Sequence, residues 1–589
     1  MCVELMAEPL LKKTMAALAA ALPFSLTLLL FAPLNIYLAN SREFNFSLAD
    51  LLLTSLYLTA AATLLLAPAM MFLAPKCREK ALSLLTALTL LLWIQGNLLV
   101  WNYGIFDGRD IPWGKKTAWG IADGAVWAAV LILAFAKSSA IGRAAKKIGW
   151  ALILVQAIST AGLYMIAPSL KGYTYLSVDR SHQSEFSGDK NVLVIALDSF
   201  QTDVFQELLH REPLVNDMFP GFIYYPDCLG GYDSTNLSVP YILTGRLFEQ
   251  IRNDTFSLKA YDRSLPARLR QHGFHNEVYP LMSHLLPDRP DIFANVMRKK
   301  KSNPAEMALL YDIALFRTLP HFVKRIVYND QLWLLKRAFP DNEQRIDRQE
   351  RRRLFAKLKQ TQRNDQFLFD QRLSADMLTQ TNLNSRQPTF KYFHLWAIHH
   401  PFRMGPDCSY RMMGSTRESA LIQARCTLRQ AQHFITALQR LGIFERTLIF
   451  IIGDHGLGIR GLDLRADLFP GATADDNNDP LLARIKASAM PLFLVKPLRQ
   501  TAAFPMRVSY APITLGDIPQ TVLADLGISA EGPGRSVFSF ADSAPRQRRF
   551  LLLGNYTDPW GRALPRSEYI VSGPAWLNKS WRLTPAAAR

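Results

Sequence analysis

Five long apolar runs, at about 15–38, 51–74, 81–101, 121–136 and 148–168, occupy the first 170 residues. No other feature of the chain restricts its fold as strongly. Roughly 20 apolar residues in helical form match the hydrocarbon thickness of a bilayer. Backbone in that layer must satisfy its own polar groups, so each run reads as a transmembrane helix. The runs lack the polar face that a helix resting on a soluble core would keep. Basic residues set the orientation. Lys12 and Lys13 precede the first span; Lys76, Arg78 and Lys80 separate the second from the third. Lys137, Arg143, Lys146 and Lys147 separate the fourth from the fifth. The positive-inside rule makes these segments cytoplasmic, which places everything after about residue 170 outside. The 102–120 loop also carries Arg109, Lys115 and Lys116, but Asp107 and Asp110 accompany them. Trp101, Tyr103, Trp113 and Trp119 surround that loop, as aromatic anchors at a membrane interface do.

Hydrophobic residues make up 49% of the 589-residue chain, but the excess is concentrated in this block. Residues 169–190 are polar and read as a linker. Beyond them the pattern is α/β. Asn191–Phe200, NVLVIALDSF, ends in Asp198, and Thr447–Gly458, TLIFIIGDHGLG, ends in Asp454 and His455. Continuous apolar runs of this length predict central strands of a parallel sheet covered on both faces. Open α/β sheets bind ligands at the carboxyl ends of their strands. Between the two runs lies Gly231–Arg246, GYDSTNLSVPYILTGR, with Ser234 and Thr235 where a loop hands over to a helix. A hydroxyl there can cap the helix. It also faces unpaired N–H groups and the positive end of the helix dipole, which suits a nucleophile attacking phosphate or sulfate. Asp198, Asp454 and His455 with a threonine oxygen form a mixed O/N shell for a divalent metal.

These stretches, in this order and spacing, resemble the alkaline phosphatase/sulfatase superfamily, and within it the membrane-anchored lipoteichoic acid synthases and lipid A phosphoethanolamine transferases. Asp198 matches the acidic ligand after the first strand, and Asp454–His455–Gly456 the Asp-His-Gly ligand motif. Thr235, Ser238, Val239 and Pro240 resemble the Thr-x-x-Ser-Val-Pro of the phosphoethanolamine transferases, and Thr244–Gly245–Arg246 the Thr-Gly-Arg of sulfatases. His399, with Pro401 and Phe402, is similar to the Asn-His-x-Pro-Phe loop of the lipoteichoic acid synthases, with Ile398 in place of the Asn. The resemblance implies Thr235 as nucleophile, Asp198, Thr235, Asp454 and His455 as ligands of one divalent metal (Mn or Zn), and Arg246 as a substrate-binding residue. His399 or its neighbour His400 would bind the phosphoryl group or protonate the leaving oxygen. Thr389–Met404 reads as a strand running into a loop, and His394, in the strand part, as a packed core residue.

The implied activity moves a phospholipid head group, phosphoethanolamine or phosphoglycerol, through a phosphothreonine to a glycan or lipid acceptor. The rivals are a sulfatase-like hydrolase or phosphodiesterase, and a non-catalytic lipid-binding regulator. Threonine cannot become the formylglycine of sulfatases, which disfavours sulfate ester hydrolysis. Ser199 follows Asp198 where sulfatases pair two aspartates, and no histidine follows His455, so a lean one-metal site is expected.

The expected fold is therefore α/β: an N-terminal five-helix transmembrane domain (1–168), the linker, and an extracytoplasmic sulfatase-like domain (191–545) with a mostly parallel central sheet covered by helices, followed by a C-terminal strand and tail (546–589). Residues 298–384 break the alternation as a helical, basic insertion with Lys299–Lys301, Arg345, Arg348 and Arg351–Arg353. Such a surface is either solvated or set against anionic lipid heads. A net charge of +18 would usually suggest nucleic acid, but an outward-facing domain has none to bind. Export into an oxidising compartment, the envelope outside the inner membrane, favours a Cys408–Cys426 disulfide and leaves Cys228 unpaired.

Overall fold

The computed structural model describes residues 10–41, 44, 46–103, 111, 113–167, 175–247, 258–281, 289–299, 304–329, 332–339, 365–459, 461–529, 532–542, 544–552 and 567–584. The chain divides into two compact units. The first comprises Met1–Tyr175 and Lys299–Arg363, and the second Leu176–Arg298 and Asn364–Arg589.

In the first unit α1 (Leu10–Ala39), α2 (Leu48–Met71), α3 (Pro75–Asn97), α4 (Thr117–Ala136) and α5 (Ser138–Ile166) form a helical bundle. Four of these helical stretches, all but α3, are long and apolar enough to cross a membrane by length and composition. The first turns of α3 carry Lys76, Arg78, Glu79 and Lys80, and its later turns bury Leu82, Leu85, Leu91 and Leu92. α5 begins ten residues ahead of the expected span, so Arg143, Lys146 and Lys147 lie on the helix rather than in a loop. Polar side chains join the helices: Ser83 Oγ donates to the Ala134 carbonyl at 2.8 Å and Gln156 Nε2 to Thr27 Oγ1 at 2.9 Å. Small polar residues do this between helices that have only apolar surroundings to compete.

The same unit contains part of the basic insertion. The Pro304–Thr318 helix buries Met307, Leu310, Tyr311 and Ala314 against Leu34, Tyr37, Leu38 and Leu51 of α1 and α2. The described residues between 304 and 339 thus pack with the N-terminal helices and not within the α/β domain. The reason is the apolar face of that helix, which local periodicity marks as buried without naming its partner. The Arg345–Arg353 run lies outside the described residues.

The second unit is built on a seven-stranded sheet of β1 (Asn191–Leu197), β2 (Ile223–Tyr224), β3 (His275–Tyr279), β4 (Thr389–Leu395), β5 (Thr447–Gly453), β6 (Phe493–Lys496) and β7 (Arg507–Val508). Their order is β7-β2-β6-β5-β1-β4-β3. The β5-β1-β4-β3 core is parallel, and β6 is antiparallel to both of its neighbours. Every residue of β1, β4 and β5 is buried, as expected for parallel strands with helices on both faces. α6 (Thr202–Arg211), α7 (Thr235–Thr244) and α8 (Arg417–Arg440) are among the helices of this unit. The C-terminal segment is more than one strand: Gln547–Leu552, Ser567–Ser572 and Trp581–Thr584 pair antiparallel.

Cys408 and Cys426 are disulfide-bonded, and Cys228 is buried as a free thiol. The bridge closes a loop of 18 residues onto α8. Replacing both cysteines by serine is expected to cost ~3 kcal/mol in chemical denaturation, mostly through the freed unfolded chain.

Candidate active site and metal centre

Strand register builds the site. Leu197 of β1 pairs with Leu395 of β4 and with Gly453 of β5, so the three strands end level. Asp198 and Asp454 follow directly. Asp198 shares a sheet face with Ala196, whose partner in β4 is His394. Ligand atoms of Asp198, His394 and Asp454 all lie within 4.8 Å of one another, and all three residues are buried. His455 Nε2 is 3.7 Å from Asp198 Oδ1 and 3.6 Å from Asp454 Oδ2. Thr235 Oγ1 is 3.2 Å from the same nitrogen.

The turns that end the strands hold these groups in place. Ser199 adopts a left-handed φ of 61°. For a non-glycine residue this costs on the order of 1 kcal/mol. It aims the Ser199 N–H at Asp454 Oδ1, at 3.0 Å, while Ser199 Oγ donates to Asp198 Oδ1 at 2.9 Å. The His455 N–H also donates to Asp454 Oδ1, at 2.9 Å. His455 Nδ1 donates to the Gly456 carbonyl at 2.8 Å, which turns Nε2 toward Thr235 and the carboxylates. Gly456 is required by packing: a Cβ there would stand 1.9 Å from the Ala487 carbonyl oxygen. Gly456→Ala is therefore expected to lower stability by at least ~2 kcal/mol, read as a shifted denaturant midpoint, because backbone must move to admit the methyl.

Thr235 is the first residue of α7, and Ser234 precedes it in extended conformation without capping the helix through its side chain. Thr235 Oγ1 thus stands at the helix end where backbone N–H groups are unpaired. Burial and the adjacent Asp454 push the Asp198 carboxyl well above the usual carboxylate range. Against its own burial, His455 and His394 hold Asp454 below that range. Burial lowers the His394 pKa, against the pull of Asp454. Asp454 Oδ2 and both ring nitrogens of His394 are buried without a hydrogen-bond partner. Two buried carboxylates and an imidazole with no hydrogen bond at either ring nitrogen are costly unless a cation joins them. Separations near 3.5 Å between ligand atoms are roughly those of donors arranged around a metal at ~2.1 Å. The residues present fit a divalent metal.

His394 is thus more than the packed core residue expected of it. Asp370 is a further acid that sequence reading missed: buried at 1% exposure, it accepts the Trp396 N–H at 2.8 Å and adds negative charge beside Asp198. Its helix, Asp365–Gln380, falls in the stretch read only as basic insertion. The two candidate histidines lie on the loop after β4. His399 Nδ1 donates to the His400 carbonyl at 2.6 Å, and its ring packs on Trp396. His400 is buried, with Nε2 2.5 Å from Ser415 Oγ. Arg246 sits elsewhere. It follows Gly245, the left-handed cap at the far end of α7. A ten-residue helix separates it from Thr235 by on the order of 15 Å.

The sulfatase family model matches residues 190–528, more than half of the chain. The chain belongs to the sulfatase family. Its matched region begins at β1 and includes Asp198, Thr235, His394, Asp454 and His455. No curated protein matches its sequence significantly. Solved structures similar to it include Ps i-CgsB in complex with k-i-k-neocarrahexaose, at 13% identity and TM-score 0.41, covering 67% of this chain and 86% of that one. Another is the phosphonate monoester hydrolase SpPMH from Silicibacter pomeroyi, at 14% identity and TM-score 0.38, covering 68% and 90%. A third is the lipoteichoic acid synthase LtaP from Listeria monocytogenes, at 13% identity and TM-score 0.35, covering 69% and 88%.

Proposed function

We propose that this sulfatase-family chain is a membrane-bound, metal-dependent phosphotransferase. It would take a phosphoethanolamine or phosphoglycerol head group from a membrane phospholipid and pass it to a hydroxyl of a glycan or lipid. The observation that carries this reading is Thr235 Oγ1, held at a helix N-terminus 3.2 Å from His455 Nε2 and beside two buried carboxylates. A divalent cation, Mn or Zn, held by Asp198, Asp454, His455 and Thr235, with His394 at hand, would lower the pKa of the threonine hydroxyl and neutralise phosphoryl charge.

Thr235 Oγ1 attacks phosphorus, the bond to the diacylglycerol oxygen breaks, and that oxygen leaves with a proton. His399 supplies the proton or binds the phosphoryl oxygens; its partial exposure suits this better than the buried His400. The N-terminal N–H groups of α7 face the developing negative charge. An acceptor hydroxyl then attacks the phosphothreonine, giving its proton to the group that protonated the leaving oxygen, while the Oγ1–phosphorus bond breaks and Thr235 is restored. The apolar helices of the first unit would keep the enzyme where its donor lies, with the catalytic domain on the outer face of the cell membrane.

The test is full-length protein in vesicles of phospholipid labelled in the head group, with and without a glycan acceptor. Diacylglycerol should appear, with label on the acceptor. Label released to water at the same rate with or without acceptor would make the protein a hydrolase.

A further inference from the structure

The chain segment after Arg298 returns to one end of the helical bundle. Its described contacts there are mainly with the ends of α1 and α3 and the starts of α2 and α4, and Tyr311 Oη also lies 3.4 Å from the Leu29 carbonyl inside α1. Tyr311 Oη is 2.8 Å from Ser55 Oγ, near the start of α2. Arg317 Nε donates to the Gly96 carbonyl, at the end of α3, at 2.8 Å. The His321 N–H donates to Asp123 Oδ2, early in α4, at 2.9 Å, and His321 Nδ1 is 2.7 Å from Tyr103 Oη. Consecutive antiparallel helices place those four ends together. The end is lined by aromatics: Tyr103, Trp101, Trp113, Trp119, Phe316 and Trp333 form one cluster.

The short His321–Val327 helix is latched into this belt on one side. Lys324, only 3% exposed, donates to the Phe316 and Arg317 carbonyls at the end of the preceding helix. Its other side faces outward with apolar groups. Phe322 is 62% exposed and Ile326 66%, one turn apart, and Leu335 and Phe339 are exposed just beyond. Arg325 and Arg337 are exposed among them. Large apolar side chains interleaved with cations, next to an aromatic belt at the end of membrane-crossing helices, match the chemistry of the lipid head-group layer and not of water.

We propose that residues 321–329 and 332–339 form an interfacial anchor, with Phe322 and Ile326 seated at the head-group/acyl boundary and Arg325 and Arg337 against lipid phosphates. Val327, Tyr328 and Trp333 of this segment pack in the aromatic cluster at the ends of helices long and apolar enough to cross a membrane, so the partner is the same bilayer. The anchor fixes the segment that interrupts the catalytic domain's sequence to the membrane that holds the donor lipid.

The experiment uses full-length protein in nanodiscs containing anionic phospholipid. Cys2 and Cys77 are replaced by serine; Cys228 is buried and Cys408–Cys426 is bridged. An environment-sensitive fluorophore is placed at Phe322→Cys, at Ile326→Cys, and at the exposed Arg270→Cys of the second unit as a control. The probes at 322 and 326 should emit at shorter wavelength than the control and lose most of their intensity to nitroxides on the head group or the upper acyl chain. Three results overturn the proposal: emission and quenching equal to the control, strongest quenching by nitroxides at the bilayer centre, or a blue shift without lipid quenching, which would mark a protein partner.

Discussion

Thr235→Ala is expected to reduce turnover by several orders of magnitude while the folded state loses no more than ~1 kcal/mol. The substitution removes the attacking oxygen and one prospective metal ligand. It disturbs little else, because the hydroxyl's described contacts are with His455 Nε2 at 3.2 Å and with the Asp454 carboxylate, both prospective metal ligands, and alanine suits the first turn of α7. Thr235→Ser keeps the oxygen and should keep part of the activity. Ser234→Ala should be mild, since the Ser234 side chain makes no capping bond. Head-group transfer rates for the three variants, alongside denaturant midpoints, check this. An inactive Ser234→Ala beside an active Thr235→Ala would move the nucleophile by one residue.

Asp454→Asn should empty the metal site and abolish activity without unfolding the domain. Oδ1 of Asp454 accepts from the Ser199 and His455 N–H groups, and an asparagine oxygen can accept both. Oδ2 has no partner and faces His394 and His455, each at 3.6 Å. Replacing it with an amide removes one negative charge from a buried pair. The variant should therefore bind no metal, and its metal-free form should be at least as stable as metal-free wild type. Elemental analysis of purified protein gives the first result and thermal unfolding in chelator the second. Full metal occupancy in Asp454→Asn would place the metal elsewhere.

Much of this site is legible in the residues because strand ends announce themselves. Apolar runs that stop at Asp198 and at Asp454–His455 can only be central strands, and central parallel strands present their ends to ligand. Thr235 follows from the hydroxyl pair at a loop-to-helix junction. His394 is hidden for the opposite reason. β4 is buried on both faces, so alternation does not separate a site-facing residue from a core-facing one; only the register against Ala196 does. Asp370 arrives from a helix distant in sequence, which no spacing connects to Asp198. The Thr-Gly-Arg match is local and says nothing of the helix that carries Arg246 away from Thr235. The Pro304–Thr318 helix shows its periodicity but not its partner, and its charge-rich surroundings masked an apolar face that packs on α1 and α2.

The central claim is that Thr235 carries the phosphoryl group. Its most direct test is mass spectrometry of the peptide containing Thr235 after the purified, metal-loaded protein meets phospholipid without acceptor. The account predicts a phosphoethanolamine or phosphoglycerol adduct on Thr235, absent in Thr235→Ala and discharged when acceptor is added. An unmodified Thr235 during active turnover, or an adduct on another residue, would contradict it.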